Sequence, residues 1–283
     1  MNNTVKTIAL AASILFLSCE EKKEEKIKVS KKPTIERNQP KEVAYTFQKS
    51  AEWLKTEGAN SKAMDIVLAI NRVDEKNLKK LDSILVPTDV TGDVAFYMPF
   101  PLEISSLDDV KKAILFSYTS QAFAVYKYGT LVQVGPTSMG SKIHKTPTGL
   151  FFTNWKAEET TSTFNDEWEL KWNFNIENDL GVGFHEYELP GYPASHSCLR
   201  LLEKDAKILY EFADQWELAD ATTVRLKGTP VIVFGSYDFE VKKPWNNVKD
   251  SPEALNIPEE ELNAIIEPHL QAILQEQVKR EKK

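Results

Sequence analysis

The chain has 283 residues, 42% of them apolar, which is length and apolar content enough for a buried core without disulfide support. The balance of 35 Lys and Arg against 42 Asp and Glu gives a formal net charge of −7, and it leaves no basic stripe of the kind nucleic-acid binding needs. Two cysteines, Cys19 and Cys198, exclude a disulfide-stapled scaffold.

The chain opens with Lys6 and an apolar run from Ile8 to Leu17. At about ten residues the run has the length of a signal-peptide core and is too short for a bilayer span. Phe16-Leu17-Ser18-Cys19 resembles a bacterial lipobox, which predicts removal of residues 1–18, lipidation of Cys19 and a membrane anchor. The alternative is a soluble exported chain cleaved near Ser18. Either way the mature chain keeps at most one thiol able to react, Cys198.

Residues 19–41 are charged, poor in apolar side chains and broken by Pro33 and Pro40, the composition of a solvated, disordered tether. Residues 42–90 carry helical spacing at Ala63, Ile66, Val67 and Ile70. Asn71-Arg72-Val73, Leu78 and Leu85-Val86-Pro87 resemble the second half of a LysM module, a small βααβ fold that binds glycan. The first half lacks the usual Gly-Asp-Thr turn, so a plain helical lead-in stands beside it.

From about 108 the pattern turns to strands. Ala122–Tyr126 and Leu131–Val134 are predicted to form a hairpin near Gly129. Trp168, Leu170, Trp172, Phe174 and Ile176 alternate with polar residues, which predicts one half-buried strand. Residues 204–217 have helical spacing, and 224–226 with 231–234 around Gly228-Thr229-Pro230 read as a terminal hairpin. Residues 240–283 form a proline-marked connector and an amphipathic helix, capped by Asn256 with Glu259, whose Leu262, Ile265, Ile266, Leu270 and Ile273 pack on the main body.

The chemistry concentrates at 181–200. In Gly181-Val182-Gly183-Phe184-His185, alternation places Val182 and Phe184 in the core and His185 on the other face beside two glycines, an open floor for a substrate backbone. A bend at LPGYP then leads to Ser195-His196-Ser197-Cys198-Leu199-Arg200. A thiol with an ordinary pKa is mostly protonated at neutral pH, and a nearby imidazole activates it. Arg200, two residues on, shares the sulfur's face if the stretch is extended, where it is able to bind a carboxylate. His144 and His269 read as ordinary surface residues.

This arrangement resembles the signature of YkuD-type L,D-transpeptidases, a histidine followed by a Ser-His-Gly-Cys-x-Arg block. Ser138-Met139-Gly140 and Thr146-Pro147-Thr148-Gly149-Leu150-Phe151 upstream, with Gly228-Thr229-Pro230 downstream, extend the likeness over residues 110–236. The resemblance implies a mainly β chain with flanking helices (α+β), its catalytic β-sandwich at 108–236 acting on peptidoglycan stem peptides in the cell envelope without a cofactor or metal. It implies Cys198 as nucleophile, His185 as base and the Glu186 carbonyl as its orienting group. Ser195, His196, Ser197 and Arg200 are implied at the substrate or oxyanion side. Ser197 and Glu186 stand where the family commonly has glycine, which leaves an L,D-carboxypeptidase-type hydrolase open. The remaining readings are an inert buried thiol, a zinc site on His185, His196 and Cys198, and a non-catalytic wall-binding lipoprotein.

Overall fold

The computed structural model describes residues 32–162, 169–241 and 243–283. The signal segment 1–18, Cys19, the tether as far as residue 31, and Trp168 lie outside the described residues.

The first elements are β1 (Tyr45–Lys49), α1 (Ser50–Thr56), α2 (Ser61–Asn71), α3 (Glu75–Leu78) and β2 (Ser83–Pro87), with β1 and β2 paired antiparallel. The Asn60 side chain accepts the Ala63 N–H and starts α2, and Asp74 does the same for α3 through Asn77. α2 ends at Arg72, whose φ of 59° is the left-handed C-terminal turn. From Ile66 to Asn71 this helix is buried all round. Val67 packs with Trp53, Leu78 and Ile84; Ile66 and Ile70 pack with Tyr45, Leu85 and Val248; Ala69 joins the core of the following sheet.

Thirteen strands in all are described. β3 (Ala113–Ser117), β4 (Ala122–Lys127), β5 (Thr130–Pro136) and β6 (Gly149–Phe152) belong to one sheet, and β7 (Lys156–Thr161), β8 (Glu169–Glu177), β9 (Val182–Glu186) and β10 (Leu199–Leu201) form a second. There follow α4 (Glu203–Phe212), β11 (Glu217–Leu218), β12 (Val224–Leu226), β13 (Pro230–Phe234) and α5 (Glu259–Glu281). The first sheet runs β5-β4-β3-β13-β6, with β13 parallel to β3; the second runs β10-β9-β8-β7.

Phe116, Phe123 and Val233 from the first sheet meet Phe174, Phe184 and Leu199 from the second, closed off by Leu209 of α4. The opposite face of the first sheet, with Leu115, Ala124 and Ile232, is covered by Leu262, Ile266 and Ile273 of α5. Both faces of β3 are therefore buried, which is why its first four residues read as an unbroken apolar run. The chain is thus mostly β-sheet with flanking helices, as expected. The β4–β5 hairpin closes through Tyr128 and Gly129 at φ 51° and 75°, the two positive angles of a tight two-residue turn.

Four expectations change. Residues 224–234 do not form a hairpin: β12 pairs with β11, while β13 enters the sheet between β3 and β6. The turn is drawn away at Gly228, where a Cβ would lie 2.2 Å from the Thr153 carbonyl oxygen and 2.3 Å from that of Asp214. The helix predicted over 204–217 ends at Phe212. α5 begins after Pro258 rather than at an Asn256 cap, because the Glu259 carboxylate accepts the Ser105 N–H at 2.8 Å instead of reaching back. The end of the tether is not free. Lys32 pairs with Asp108, the Arg37 guanidinium donates to the Leu131 carbonyl and the Asn38 N–H to Asp93, so one ion pair and two hydrogen bonds hold this stretch to the body.

Arg72 joins three parts of the molecule. Its Nε donates to the Ser120 carbonyl at 2.8 Å and its Nη1 to that of Ala69, while the guanidinium lies 5.5 Å from the centre of the Trp245 ring. Burial pushes its pKa down to about 9, which still leaves it cationic at neutral pH. Arg72→Ala is expected to lower the free energy of unfolding by about 3–4 kcal/mol, since it removes the guanidinium from the Ser120 carbonyl and opens a cavity beside Trp245. Urea denaturation followed by far-UV circular dichroism measures this; a loss under about 1 kcal/mol would mean that water takes the guanidinium's place.

Candidate active site

β10 runs parallel to β9, with Leu199 opposite Phe184, Arg200 opposite His185 and Leu201 opposite Glu186. Leu199, Leu201, Val182 and Phe184 fill the core, so Arg200 and His185 share the outward face. Cys198, two residues before Arg200, joins that face opposite Gly183. Imidazole, thiol and guanidinium line one cleft together with Leu170, Tyr187 and His196.

His185 is only 3% exposed, and its Nδ1 lies 2.8 Å from the Glu186 carbonyl oxygen. A carbonyl only accepts, so Nδ1 carries the proton and Nε2 keeps its lone pair. Burial, aided by the Arg200 charge and opposed by the Glu186 carbonyl, brings the imidazole's pKa down to about 4. It is neutral at pH 7.

Cys198 is part-exposed as a residue, but burial of its sulfur raises the thiol above its ordinary pKa, outweighing the Gly183 N–H and the Arg200 charge that favour thiolate. The S–H is directed at the Gly181 carbonyl, 3.7 Å away. The resting state is therefore a neutral thiol beside a neutral imidazole. The two glycines act otherwise than expected. Gly183 leaves no open floor: a Cβ there would meet the Phe174 carbonyl oxygen at 2.7 Å, so the space belongs to the backbone of β8. Gly181 turns the chain at φ 63°.

Arg200 makes no ion pair among the described residues. Its guanidinium lies 4.4 Å from the centre of the Tyr187 ring, which in turn meets His185 edge-on at 6.0 Å. Burial lowers the guanidinium's pKa. The guanidinium carries five donors and meets no carboxylate among the described residues, a donor set chemically suited to an anion.

Ser195 and Ser197 hold the turn. Ser195 Oγ donates to the Cys198 carbonyl, its N–H to the Met139 carbonyl at 3.0 Å, and its carbonyl accepts the Ser141 N–H at 2.9 Å. Ser197 has φ 82°, a conformation that favours the glycine the sequence lacks here. Its hydroxyl bonds the His196 carbonyl, and its own carbonyl accepts from Thr146 Oγ1 at 2.9 Å. Among the described residues His185, His196 and Cys198 do not converge as a metal-ligand group.

Leu170, Tyr187 and His144 were not found from the sequence. Tyr187 follows His185 by two, and strand alternation alone would place it on this face. Leu170 was expected in the core with Phe174. One extra residue in β8 between Lys171↔Glu186 and Phe174↔Phe184, with Trp172 at φ 54°, inverts the alternation and turns Leu170 outward into the cleft. The single half-buried strand is thus two half-strands of opposite facing. His144 is no ordinary surface residue: its ring centre lies 4.4 Å from that of His196.

Residues 111–233 match the family model of the L,D-transpeptidase catalytic domain, YkuD. No curated protein matches the chain. Among solved structures, an L,D-transpeptidase from Stackebrandtia nassauensis is 25% identical over 45% of this chain and 57% of its own, with a TM-score of 0.38. One from Mycobacterium smegmatis is 19% identical over 44% and 59%, with a TM-score of 0.35. One from Mycobacterium tuberculosis H37Rv is 22% identical over 44% and 58%, also at 0.35. The chain spans less than two thirds of the length of each.

Two outcomes follow from this geometry. Alkylation of Cys198 by iodoacetamide should still be accelerating with pH at pH 9, because only the thiolate reacts and burial raises the thiol's pKa; a plateau reached below pH 8 would show a stabilised thiolate instead. Ser197→Gly should raise stability by about 0.5–1 kcal/mol, the relief of a left-handed side-chain residue less the extra freedom of glycine when unfolded. Thermal melts of the two proteins decide it.

Proposed function

Taking residues 111–233 as an L,D-transpeptidase catalytic domain of the YkuD family, we propose that the protein acts on peptidoglycan in the cell envelope by acyl transfer through Cys198. The observation that carries this is the shared outward face of β9 and β10, which puts the sulfur, the lone-paired Nε2 of His185 and the Arg200 guanidinium on one cleft.

In this reading the thiol turns from the Gly181 carbonyl to His185 Nε2. Cys198 Sγ attacks the carbonyl between the diamino acid and the terminal D-alanine of a stem tetrapeptide as its proton passes to Nε2. An imidazole with a pKa near 4 does not keep that proton, so transfer is coupled to attack rather than completed before it. Collapse of the tetrahedral adduct breaks the C–N bond, and the imidazolium gives its proton to the departing D-alanine amine. An amine from a second stem, or another amine-bearing acceptor, then attacks the thioester; His185 takes its proton and returns it to sulfur. Water in the acceptor's place would give the carboxypeptidase outcome. Arg200 receives a substrate carboxylate, and His196 borders the oxyanion side.

Residues 42–90 serve as a glycan-holding module, and Cys19 carries the lipid anchor. Among the described residues no helix is long and apolar enough to cross a membrane.

Incubation with a tetrapeptide donor or a carbapenem, followed by intact-mass spectrometry, tests the reading. A covalent adduct on Cys198 is expected with both, absent in Cys198→Ala and formed about 10²–10⁴-fold more slowly in His185→Ala. Unmodified wild-type protein in both reactions would overturn it.

A further inference from the structure

The loop between β5 and β6 is fastened to the nucleophile turn along its length. Ser138 and Arg200 exchange backbone hydrogen bonds at 3.1 Å, and Gly140 bridges Ser195. Thr146 Oγ1 accepts the Gly140 N–H at 2.8 Å while donating to the Ser197 carbonyl, so one hydroxyl ties both ends of the loop tip to the turn. At Gly140 a Cβ would lie 2.1 Å from the His144 carbonyl oxygen and 2.4 Å from the Thr146 nitrogen; the chain folds back on itself there and only glycine fits. Tyr118 Oη donates to the Gly140 carbonyl from the core side.

The tip itself, residues 141–145, divides its side chains. Lys142 pairs with Glu240, and Ile143 stands 83% exposed to solvent. His144 alone of the three turns back over the turn, its ring tilted 30° to that of His196. That separation and tilt are those of stacked rings. His196 lines the cleft and His144 does not, so His144 touches neither the sulfur nor a substrate held against it. Partial burial first, and then the charges of His144 and Arg200, disfavour protonation of His196.

We propose that His144 is a positioning residue, holding the His196 ring by stacking in the orientation in which it borders the cleft above Cys198. The proposal rests on the acyl-transfer reading for its consequence in rate, but not for the stacking itself. An imidazole turns about two side-chain bonds, and a ring laid on its face from a fastened loop narrows that freedom.

The test uses the full chain with His144→Ala and His144→Phe. The first measurement is the His196 ring-proton resonance, assigned by its loss in His196→Ala. Removal of the stacked ring in His144→Ala should move it downfield, and His144→Phe should keep it upfield. The second is acylation of Cys198 by a carbapenem. His144→Ala should lower the saturating acylation rate about five- to tenfold with little change in the half-saturating concentration, and His144→Phe should restore most of it. A His196 resonance unmoved in His144→Ala overturns the proposal whatever the enzyme does. So does an acylation rate within twofold of wild type in His144→Ala, or one lost equally in the phenylalanine variant. Wild-type protein that takes no carbapenem counts instead against acyl transfer, and the resonance still decides the stacking.

Discussion

The parallel pairing of β10 with β9 is the constraint from which the site follows. A slip of one residue would turn Cys198 and Arg200 into the core and expel Leu199 and Leu201. Burying an unpaired guanidinium between two apolar sheets while exposing two leucines is costly on both counts, so the burial pattern of three residues secures the register. Once it is set, no further device is needed to bring histidine, cysteine and arginine to the same face. Phe184 and Leu199, packed from adjacent strands, do chemical service without touching the chemistry.

The electrostatics of the cleft favour neutral partners. Low polarity around His185 and Cys198 penalises the separated charges of a thiolate–imidazolium pair, and the nearby Arg200 acts on the two in opposite senses, favouring thiolate and disfavouring imidazolium. Such a site protects its sulfur when empty. In the acyl transfer proposed for it, nucleophilicity would arise with a carbonyl in place, when the proton has somewhere to go and the developing charge passes to the oxygen. Two arginines make an instructive contrast. Arg72, fully buried, spends its donors on backbone carbonyls and its face on an indole, which makes it a joint; Arg200, half-buried, stacks its face on Tyr187 and pairs with no carboxylate among the described residues, which suits it to the receptor role proposed for it.

Much of this was legible in the residues. The β4–β5 hairpin, α2 and the apolar stripe of α5 follow from short-range periodicity, and the expectation that His185 and Cys198 face one cleft follows from needing a base near an unpaired thiol. What escaped had non-local causes. The inversion of Leu170 depends on a bulge at Trp172, a residue whose side chain gives no warning of a positive φ. The glycine at 183 looked like room for a substrate because nothing in its neighbours reveals that β8 crosses so near. Placement of β13 inside a sheet, between β3 and β6, depends on contacts of Gly228 with Thr153 and Asp214, 75 and 14 residues earlier in the chain. His144 lies 52 positions before its stacking partner, and only the fastened loop joins them.

The way α2 is shared has a practical corollary. One face of this helix closes the small core beside β1 and β2, another meets the C-terminal segment at Val248, and Ala69 lies in the layer under α5. The stretch matched by family comparison, 111–233, is therefore smaller than the cooperative unit of this protein. Cut out at those limits, it would present to water the bare sheet surface that α5 now covers and would leave the Ser120 carbonyl without its guanidinium. Catalytic and accessory parts are welded into one body, and a shortened chain that respects the weld must begin before residue 42 and run to the end of α5.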